Sequence, residues 1–224
     1  MYKIETHLHT KLCSSCGWLE PEVIVSGYKE AGYHAITVTD HFSRYNFTKQ
    51  DWSTKKESWS TEIFLEGYRQ VKDLAKAAGI TVYRGAEVRF DGSPNDYLLF
   101  NYPTSLLEDP EAVFTMGLEA FYRHCQAVGA VLIQAHPHRE NCTPGDLRFL
   151  DGLEVLNTHP RHDNENHKTQ TLMEIAPHLI GLGGSDCHQL PDIAGGGIMA
   201  DILPKDDAQL AQLLRSKNFD LIGK

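Results

Sequence analysis

Residues 2–9 read YKIETHLH, a short run of β-forming residues that ends in two histidines. Successive side chains on a strand point to opposite faces, so residues two apart share a face. His7 and His9 therefore project together, while Leu8 points the other way. Two imidazoles held this closely on a rigid strand are suited to binding one metal ion. A single His-x-His is a weak signal, but a β-forming run followed by His, Asp or Glu recurs along the chain.

Strand and helix patterns alternate from end to end, without an internal repeat or a low-complexity linker. Strands are predicted at residues 2–8, 35–40, 81–87, 97–101, 130–135, 152–156 and 179–183. Helices are predicted from Pro21 to a stop at Gly32, from Thr61 as a cap to Gly79, from Pro110 to Gly129, and at 164–176 and 205–217. This alternation predicts an α/β fold of parallel strands joined by crossover helices.

A closed or nearly closed barrel is expected, because about seven βα units follow one another. The competing architecture is a doubly wound open sheet. That fold normally carries a glycine-rich phosphate-binding turn after its first strand, whereas this chain has His7 and His9 at that place.

Length and composition favour a single domain over residues 1–224, with a hydrophobic fraction of 41% that allows a sizeable core. No stretch approaches the ~18 consecutive apolar residues of a membrane span, and no apolar region of a secretory signal is visible. Five cysteines, an odd number, argue against a disulfide scaffold, so we expect a cytoplasmic protein. The net charge of −9 disfavours nucleic acid and anionic membranes as partners. It does not exclude an anionic substrate, because bound cations would reverse the local field.

Polar residues follow the predicted strands at the positions where they end. They are Asp40 and His41, Glu87, His136 and Arg139, His159, and Asp186 and His188. In a βα barrel the carboxyl ends of the strands meet at one rim, where functional groups lie. A cluster of imidazoles and carboxylates is not needed for packing, and unpaired buried charge is costly. Bound metal ions would remove that cost, so the pattern predicts a polynuclear metal site.

Five motifs in this order resemble those of the PHP (polymerase and histidinol phosphatase) family. They are His7-Leu8-His9, Thr39-Asp40-His41, Gly85-Ala86-Glu87, Ala135-His136-Pro137 and Gly184-Ser185-Asp186-Cys187-His188, and the glycines at 195–197 are also similar. The resemblance spans residues 1 to about 200. It implies a distorted seven-stranded (β/α)7 TIM-like barrel, related to the metal-dependent amidohydrolases. It also implies a centre of two or three divalent metal ions and hydrolysis of phosphate esters.

The same resemblance implies a set of metal ligands. His7 and His9 would share one metal with Asp186, and Glu87 would bridge two metals. His136 would hold the second metal, while His41 and His188 would hold a third or complete the second. Asp40 would either orient a ligand or cap the following loop. Mn, Fe and Zn all suit such mixed ligands.

Two positions depart from the family pattern. Cys16 lies before Gly17 where an Asp is common, and it is either a thiolate ligand or a small loop residue. Many family members also carry a metal-binding His near the fourth strand, where this chain has Asn95-Asp96-Tyr97. Asp96 is a candidate replacement. Both departures bear on whether a third metal binds.

The predicted mechanism is attack on phosphorus by metal-activated hydroxide, with Glu87 and Asp186 in the metal centre. His159 is the candidate general acid, or else a surface residue before Pro160. Arg139 and Arg161 are candidates for binding the phosphate, or ordinary exposed arginines. The long loop 43–60 carries Tyr45, Phe47, Trp52 and Trp59. These aromatics either form a lid over the substrate or pack the loop onto the barrel.

The sequence thus predicts a metal-dependent phosphoesterase acting on a small phosphorylated metabolite. Histidinol phosphate and nucleoside monophosphates are family substrates, and the residues select neither. The alternatives are an exonuclease-type phosphodiesterase, a C–N hydrolase and a metal-binding module without turnover. The acidic charge and the absence of a basic stripe weigh against nucleic acid as substrate. The sequence does not select an oligomeric state.

Overall fold

The computed structural model describes residues 1–51 and 60–223, in which helices lie between most of the strands. The strands are β1 (Tyr2–Glu5), β2 (Ala35–Val38), β3 (His41–Phe42), β4 (Thr81–Arg89), β5 (Asp96–Phe100), β6 (Val131–Gln134), β7 (Gly152–Asn157), β8 (Ile180–Gly184), β9 (Gly196–Ala200) and β10 (Asp220–Gly223). The helices are α1 (Pro21–Glu30), α2 (Arg44–Lys49), α3 (Thr61–Phe64), α4 (Glu66–Ala78), α5 (Pro110–Met116), α6 (Leu118–Val128), α7 (Asn166–Ile175) and α8 (Asp207–Ser216).

One sheet organises the chain, in the order β10-β9-β1-β2-β4-β5-β6-β7-β8, and β3 pairs with β4 beside it. The segments that follow β1 and β8 meet, because His9 N–H donates to Cys187 O at 2.9 Å and Cys187 N–H donates to His7 O at 3.2 Å. The sheet is therefore a nearly closed barrel. The α/β barrel expected from the sequence is confirmed, but the count of seven strands is not.

The prediction that all strands run parallel is wrong at β5, which is antiparallel to both β4 and β6. Only residues 90–95 connect β4 to β5. A parallel return needs a crossover of a dozen or more residues, so this connection can form only a tight reversal. The reversal places Asp96, the first residue of β5, opposite Arg89 at the end of β4. Asp96 consequently reaches the rim at which the parallel strands end.

Two strands near the C-terminus were not predicted. β9 pairs antiparallel with β1, and β10 pairs antiparallel with β9. Glycine is a poor strand former, which hid β9 in the sequence. The structure explains the glycine at 197: its φ is +135°, and a Cβ there would lie 2.3 Å from Ile4 O. The close approach of β9 to β1 therefore requires a residue without a side chain.

The predicted helices are present, but two are broken. The helix predicted at 61–79 divides at Leu65 into α3 and α4, and Ser60 rather than Thr61 is the N-cap residue of α3. The helix predicted at 110–129 divides at Gly117, whose φ of 77° is incompatible with a continuous helix. Gly79 ends α4 in the left-handed conformation, as helix-terminating glycines commonly do.

Helices α1 and α4 pack on the outside of the barrel through an apolar cluster that includes Ile24, Tyr28, Ile36 and Val71. Helix α4 comes very close to the rim at Gly67, where a Cβ would lie 2.2 Å from Thr10 Oγ1 and 2.7 Å from Asp40 Oδ2. Because glycine has no side chain, α4 can pack directly against the loops that carry the polar residues. Among the described residues, no helix has the length and apolar character to cross a membrane.

The loop predicted as a lid is described only in part. Residues 44–49 form α2, in which Phe47 is buried in the core whereas Tyr45 is 65% exposed. Phe47 thus packs its segment onto the barrel, and Tyr45 faces solvent. Trp52 and Trp59 lie outside the described residues.

Candidate metal centre

The chain continues in extended form beyond β1 and presents His7 and His9 on one side. Leu8 is fully buried in the core on the other side, and its N–H donates to Thr39 Oγ1 at 2.9 Å. The two imidazole centroids are 5.1 Å apart. The alternation expected from the sequence therefore holds, and it directs both rings toward the same space.

Glu87, at the end of the parallel part of β4, lies at the centre of four histidines. Its Oε1 is 3.4 Å from His7 Nε2 and 3.2 Å from His136 Nε2. Its Oε2 is 3.3 Å from His9 Nε2 and 2.8 Å from His41 Nδ1. Glu87 is fully buried, so one carboxylate faces imidazoles from the ends of two strands, β1 and β6, and from β3.

Asp186 faces the same space from the segment after β8. Its Oδ1 lies 3.3 Å from both His7 Nε2 and His9 Nε2 and 3.4 Å from His188 Nδ1, while its Oδ2 accepts from Arg139 at 2.5 Å. Asp186 has a φ of 52°. A non-glycine residue in this region indicates local strain, which commonly marks functional sites.

Hydrogen bonds to Nδ1 set the protonation of three rings. His7 Nδ1 is 2.9 Å from the Glu154 carboxylate, and His188 Nδ1 is 2.8 Å from Asp186 O. His9 Nδ1 is 3.1 Å from Ser14 Oγ, whose own proton goes to Asp40 at 2.7 Å. Each of these oxygens must accept, so each Nδ1 carries a proton, and the neutral form of each ring keeps its lone pair on Nε2. Imidazoles prepared in this way are metal ligands.

Four buried atoms here have no hydrogen-bond partner among the described residues: His7 Nε2, His9 Nε2, Glu87 Oε2 and His136 Nδ1. Glu87 Oε1 is within hydrogen-bonding geometry of His136 Nε2 at 3.2 Å, whereas its short approaches to His7, His9 and His41 lack the directions of hydrogen bonds. Buried polar atoms are nearly always satisfied, so such a group needs an explanation. Nitrogen and carboxylate donors converging within 4.8 Å, as in His7, His9 and Glu87 or in His9, His41 and His188, suit divalent cations.

Burial and ion pairing act in opposite directions on these groups. Burial lowers the pKa of His7, but Asp186, Glu154 and Glu87 outweigh it, and the pKa rises well above its usual value. Burial raises the pKa of Glu87, but His41 and His7 outweigh it, and the pKa falls well below its usual value. Without cations, the centre is thus held together by protonated imidazoles around anionic carboxylates.

This balance predicts a pH dependence for the metal-free protein. The histidines have higher pKa values in the folded protein than in the unfolded chain, so their protonation stabilises the fold. This stabilisation is complete below the unfolded pKa of 6.5 and is lost as the pH rises through the folded pKa values, which is about 9 for His136. The lowered pKa of Glu87 gives stability that is present above 4.5 and lost at lower pH. We expect the Tm in chelator to be highest between these limits and to fall from about pH 6.5 to 9.

Scanning fluorimetry in EDTA and in Zn²⁺ or Mn²⁺ measures this dependence. The rise in Tm on adding metal should grow with pH, because ligands release protons on binding metal. A metal-free Tm that climbs steadily from pH 6.5 to 9 would contradict the assignment of these charges.

The residues at the two departures lie around the same centre. Cys16 is an exposed residue whose thiol lies beside His41 and His188. The partial desolvation of the thiol raises its pKa, but the two histidines outweigh this effect and lower the pKa to about 5. The thiolate is therefore accessible as a ligand near neutral pH, although no contact requires that role. Asp96 groups with His41 and Glu87, yet Arg89 also binds its carboxylate through both nitrogens Nε and Nη2.

Asp40 lies behind the centre. Its carboxylate accepts from Thr10 N–H at 2.7 Å and from Ser14 Oγ at 2.7 Å, and Ser14 in turn accepts from His9 and from His41 N–H. Asp40 therefore orients two of the histidines through Ser14, which is the first of its two predicted roles.

A pocket of about 340 Å³ opens above the centre. Its walls include Arg139 and Arg161, the predicted phosphate-binding residues, together with Arg89, which sequence reasoning missed. Arg161 binds Asp192 through two hydrogen bonds of 2.7 and 2.6 Å. Each of the three arginines is paired with an aspartate, namely Asp96, Asp186 and Asp192, so the wall offers guanidinium donors without a net positive charge of its own. Guanidinium donors beside a cluster that would itself hold cations suit an anionic ligand.

His159 also lines the pocket, but its environment does not suit an acid in the substrate-free protein. Burial is the largest influence, and with Arg139, His188 and Arg161 it lowers the pKa to about 4. Arg161 Nη2 donates to Nε2 at 3.0 Å. His159 is thus a neutral hydrogen-bond acceptor at pH 7 in this state.

Two buried acids were missed because they lie inside strands rather than after them. Glu154, in β7, contacts His7 and the backbone of His136. Glu5, in β1, accepts the N–H groups of Thr6, His7 and Ser185, each at 3.0 Å. The available signal was a carboxylate among apolar strand residues, which must find buried partners.

Comparisons with known proteins agree with this geometry. The family model described as the PHP domain matches residues 5–182. Among curated proteins, no sequence matches the chain.

Several solved structures share the fold at low sequence identity. A two-domain protein from Bacteroides vulgatus, described as containing a predicted PHP-like metal-dependent phosphoesterase, has a TM-score of 0.72 and 17% identity, covering 99% of this chain and 64% of that one. PsfC from Pseudomonas syringae has a TM-score of 0.69 and 18% identity, with coverages of 100% and 91%. The lesion-specific endonuclease PfuEndoQ from Pyrococcus furiosus has a TM-score of 0.65 and 11% identity, and the match covers 98% of this chain and 57% of that one. The chain thus spans less than two thirds of the first and third of these proteins.

Proposed function

The chain belongs to the PHP domain family, a family of metal-dependent phosphoesterases, and from that premise we propose that it hydrolyses a small phosphomonoester. The observation that carries the proposal is the set of unpartnered nitrogen and oxygen atoms at the centre of four histidines and two carboxylates. The pocket above them is lined by arginines and is of a size for a small phosphorylated metabolite.

In this proposal His7, His9 and Asp186 would hold one cation and His136 would hold a second, with Glu87 as a ligand that both could share. His41 and His188 complete the second position or hold a third. The contacts of Glu87 Oε1 with His7 and His136, and of Oε2 with His9 and His41, suit a bridging role. Nitrogen and oxygen donors of this kind fit Mn, Fe and Zn alike.

Divalent cations, when bound, supply hydroxide near neutral pH and offset the charge that develops on the phosphoryl oxygens. The side chains of the protein bind the phosphate and supply the proton for the leaving group. Arg139, held by Asp186 and by Asn164 at 2.8 Å, presents its guanidinium to a phosphoryl oxygen. Arg161, which lines the same pocket, is a second guanidinium donor for the phosphate.

His159 becomes the general acid only when substrate is present. A phosphate dianion beside the ring raises its pKa, and engagement of Arg161 by the phosphate frees Nε2 from its present donor. The protonated ring can then give its proton to the leaving alkoxide. This sequence of events reconciles the low pKa of the free protein with a role in turnover.

A phosphate-release screen tests the function. The purified protein is stripped with chelator, reloaded with Mn²⁺, Fe²⁺ or Zn²⁺, and assayed on phosphorylated metabolites, with bis-p-nitrophenyl phosphate, a single-stranded oligonucleotide and simple amides as comparators. We expect phosphate release that requires metal, with kcat/KM for the preferred monoester at least about 10⁴ M⁻¹s⁻¹.

The alternatives give different results in the same screen. Faster cleavage of the diester or of oligonucleotide ends would favour the exonuclease-type reaction, and amide cleavage would favour a C–N hydrolase. A fully loaded protein that turns over none of these compounds would reject the proposal in favour of a binding module.

A further inference from the structure

Glu154 is a fully buried carboxylate that joins two of the proposed metal positions. One oxygen, Oε1, is 2.9 Å from His7 Nδ1. The other, Oε2, accepts the backbone N–H of His136 at 3.0 Å and Asn157 Nδ2 at 2.8 Å. A single side chain therefore contacts a ligand of each position.

Each contact has a distinct effect. Toward His7, the carboxylate can only accept, so it keeps the proton on Nδ1 and leaves Nε2 as the donor to metal. Toward His136, it holds a backbone with a φ of +30°, a conformation that is unfavourable without such support. Gly184 leaves the space that Glu154 needs, since a Cβ there would lie 2.6 Å from Oε1.

We propose that Glu154 is a positioning residue that couples the two metal positions, so that weakening it lowers the affinity of both cations together. The inference rests on the proposed metal centre but not on the identity of the substrate. Its basis is the geometry of one carboxylate between two ligands of different cations.

Glu154→Gln is the sharpest test, because the amide has nearly the same shape. The NH₂ group of the new glutamine must face either the Nδ1–H of His7 or the N–H groups of His136 and Asn157. All of these groups are donors, so neither orientation lets the NH₂ group form a hydrogen bond there without a rearrangement. Asn157 cannot turn its amide freely, because its Oδ1 accepts from His159 N–H at 3.0 Å and from Arg139 at 3.2 Å. Either orientation thus changes the His7 tautomer or removes support from His136.

Glu5→Gln is the matched control. Glu5 is also fully buried, but its Oε1 accepts three backbone N–H groups and its Oε2 accepts from Tyr28 OH at 2.8 Å. An amide fits here with its oxygen toward the backbone, since Tyr28 OH can accept and can donate instead to Ser185 Oγ at 3.1 Å. The control therefore removes a buried charge without opposing two donors.

The experiment measures Co²⁺ and Zn²⁺ binding to the metal-free proteins by calorimetry and by the Co²⁺ absorption spectrum, with far-UV circular dichroism and Tm as checks on folding. For Glu154→Gln we expect both equivalents to bind about 10–100-fold more weakly. Glu5→Gln should stay within about threefold of the wild type, well below that range. Glu154→Asp, whose shorter side chain cannot span both groups, should also weaken both equivalents and serves if the amide variant fails to fold.

Wild-type affinity at both positions would overturn the proposal. Weakening of one equivalent alone would disprove the coupling, and equal weakening in Glu5→Gln would assign the effect to lost buried charge. Because metal binding is the readout, a chain that binds both cations but releases no phosphate would refute the proposed function and leave this inference standing.

Discussion

His9→Ala is expected to remove one equivalent of metal and to lower kcat/KM by at least about a thousandfold. Nε2 of His9 lies 3.3 Å from both Glu87 Oε2 and Asp186 Oδ1, so this ring provides the nitrogen donor between two carboxylates. Metal ions contribute several kcal/mol to stabilising a phosphoryl transition state, and each 1.36 kcal/mol is a factor of ten in rate.

Elemental analysis of the purified variant, beside kinetics on the best substrate, checks this result. The metal ion assigned to Glu87 and His136 should remain bound. Helix content should be unchanged, because His9 lies in a segment between β1 and α1. His124→Ala, an exposed histidine on α6, is the matched control. Full metal content in His9→Ala would count heavily against the assigned ligands.

The candidate ligands could be predicted from the sequence because they lie directly after strands, where local pattern is enough. A barrel brings strand ends to one rim, so residues as distant as His9 and Asp186 could be expected to meet. The order of β-forming runs and helices indicated the barrel itself. The order of elements did not predict that β5 runs antiparallel to its neighbours. The short connection at 90–95 did indicate it, because a parallel return needs a longer crossover.

The two buried acids inside strands were beyond local pattern. Glu154 acts on His7, 147 positions away, and Glu5 binds Ser185, 180 positions away. Such partners depend on how the barrel closes, and closure is completed by the approach of the segments after β1 and β8. The glycines of β9 show the same limit: their strand forms because a backbone must approach β1 closely, not because of strand propensity.

The donor set implies that the centre is built for binding cations rather than for stability. Unpartnered buried atoms reduce the stability of the metal-free fold, and functional sites commonly carry such a cost. A substitution that satisfies those atoms should therefore leave the metal-free protein at least as stable above neutral pH while it destroys the centre. Glu87→Gln is that substitution.

In Glu87→Gln we expect both equivalents of metal to be lost and kcat/KM to fall by at least about a thousandfold, since a neutral amide cannot bridge two cations. At about pH 8, however, the metal-free variant should melt no lower than the wild type. The variant lacks an anion that raises the histidine pKa values, so more of its imidazoles are neutral at this pH than in the wild type, and the new amide N–H groups can donate to the lone pairs of His7 or His9. Near pH 5.5 the order should reverse, because protonated rings lose the anion that held them.

Metal analysis and Tm measured at both pH values in chelator separate these effects, with Glu119→Gln on the exposed face of α6 as the control. The reversal is the informative result, because a simple loss of packing would lower Tm at both pH values alike. If Glu87→Gln kept one tight equivalent of metal, Glu87 would be a ligand to one cation and not a bridge. If its Tm fell equally at both pH values, the carboxylate would be needed for the fold itself and the charge balance described for the metal-free centre would be wrong.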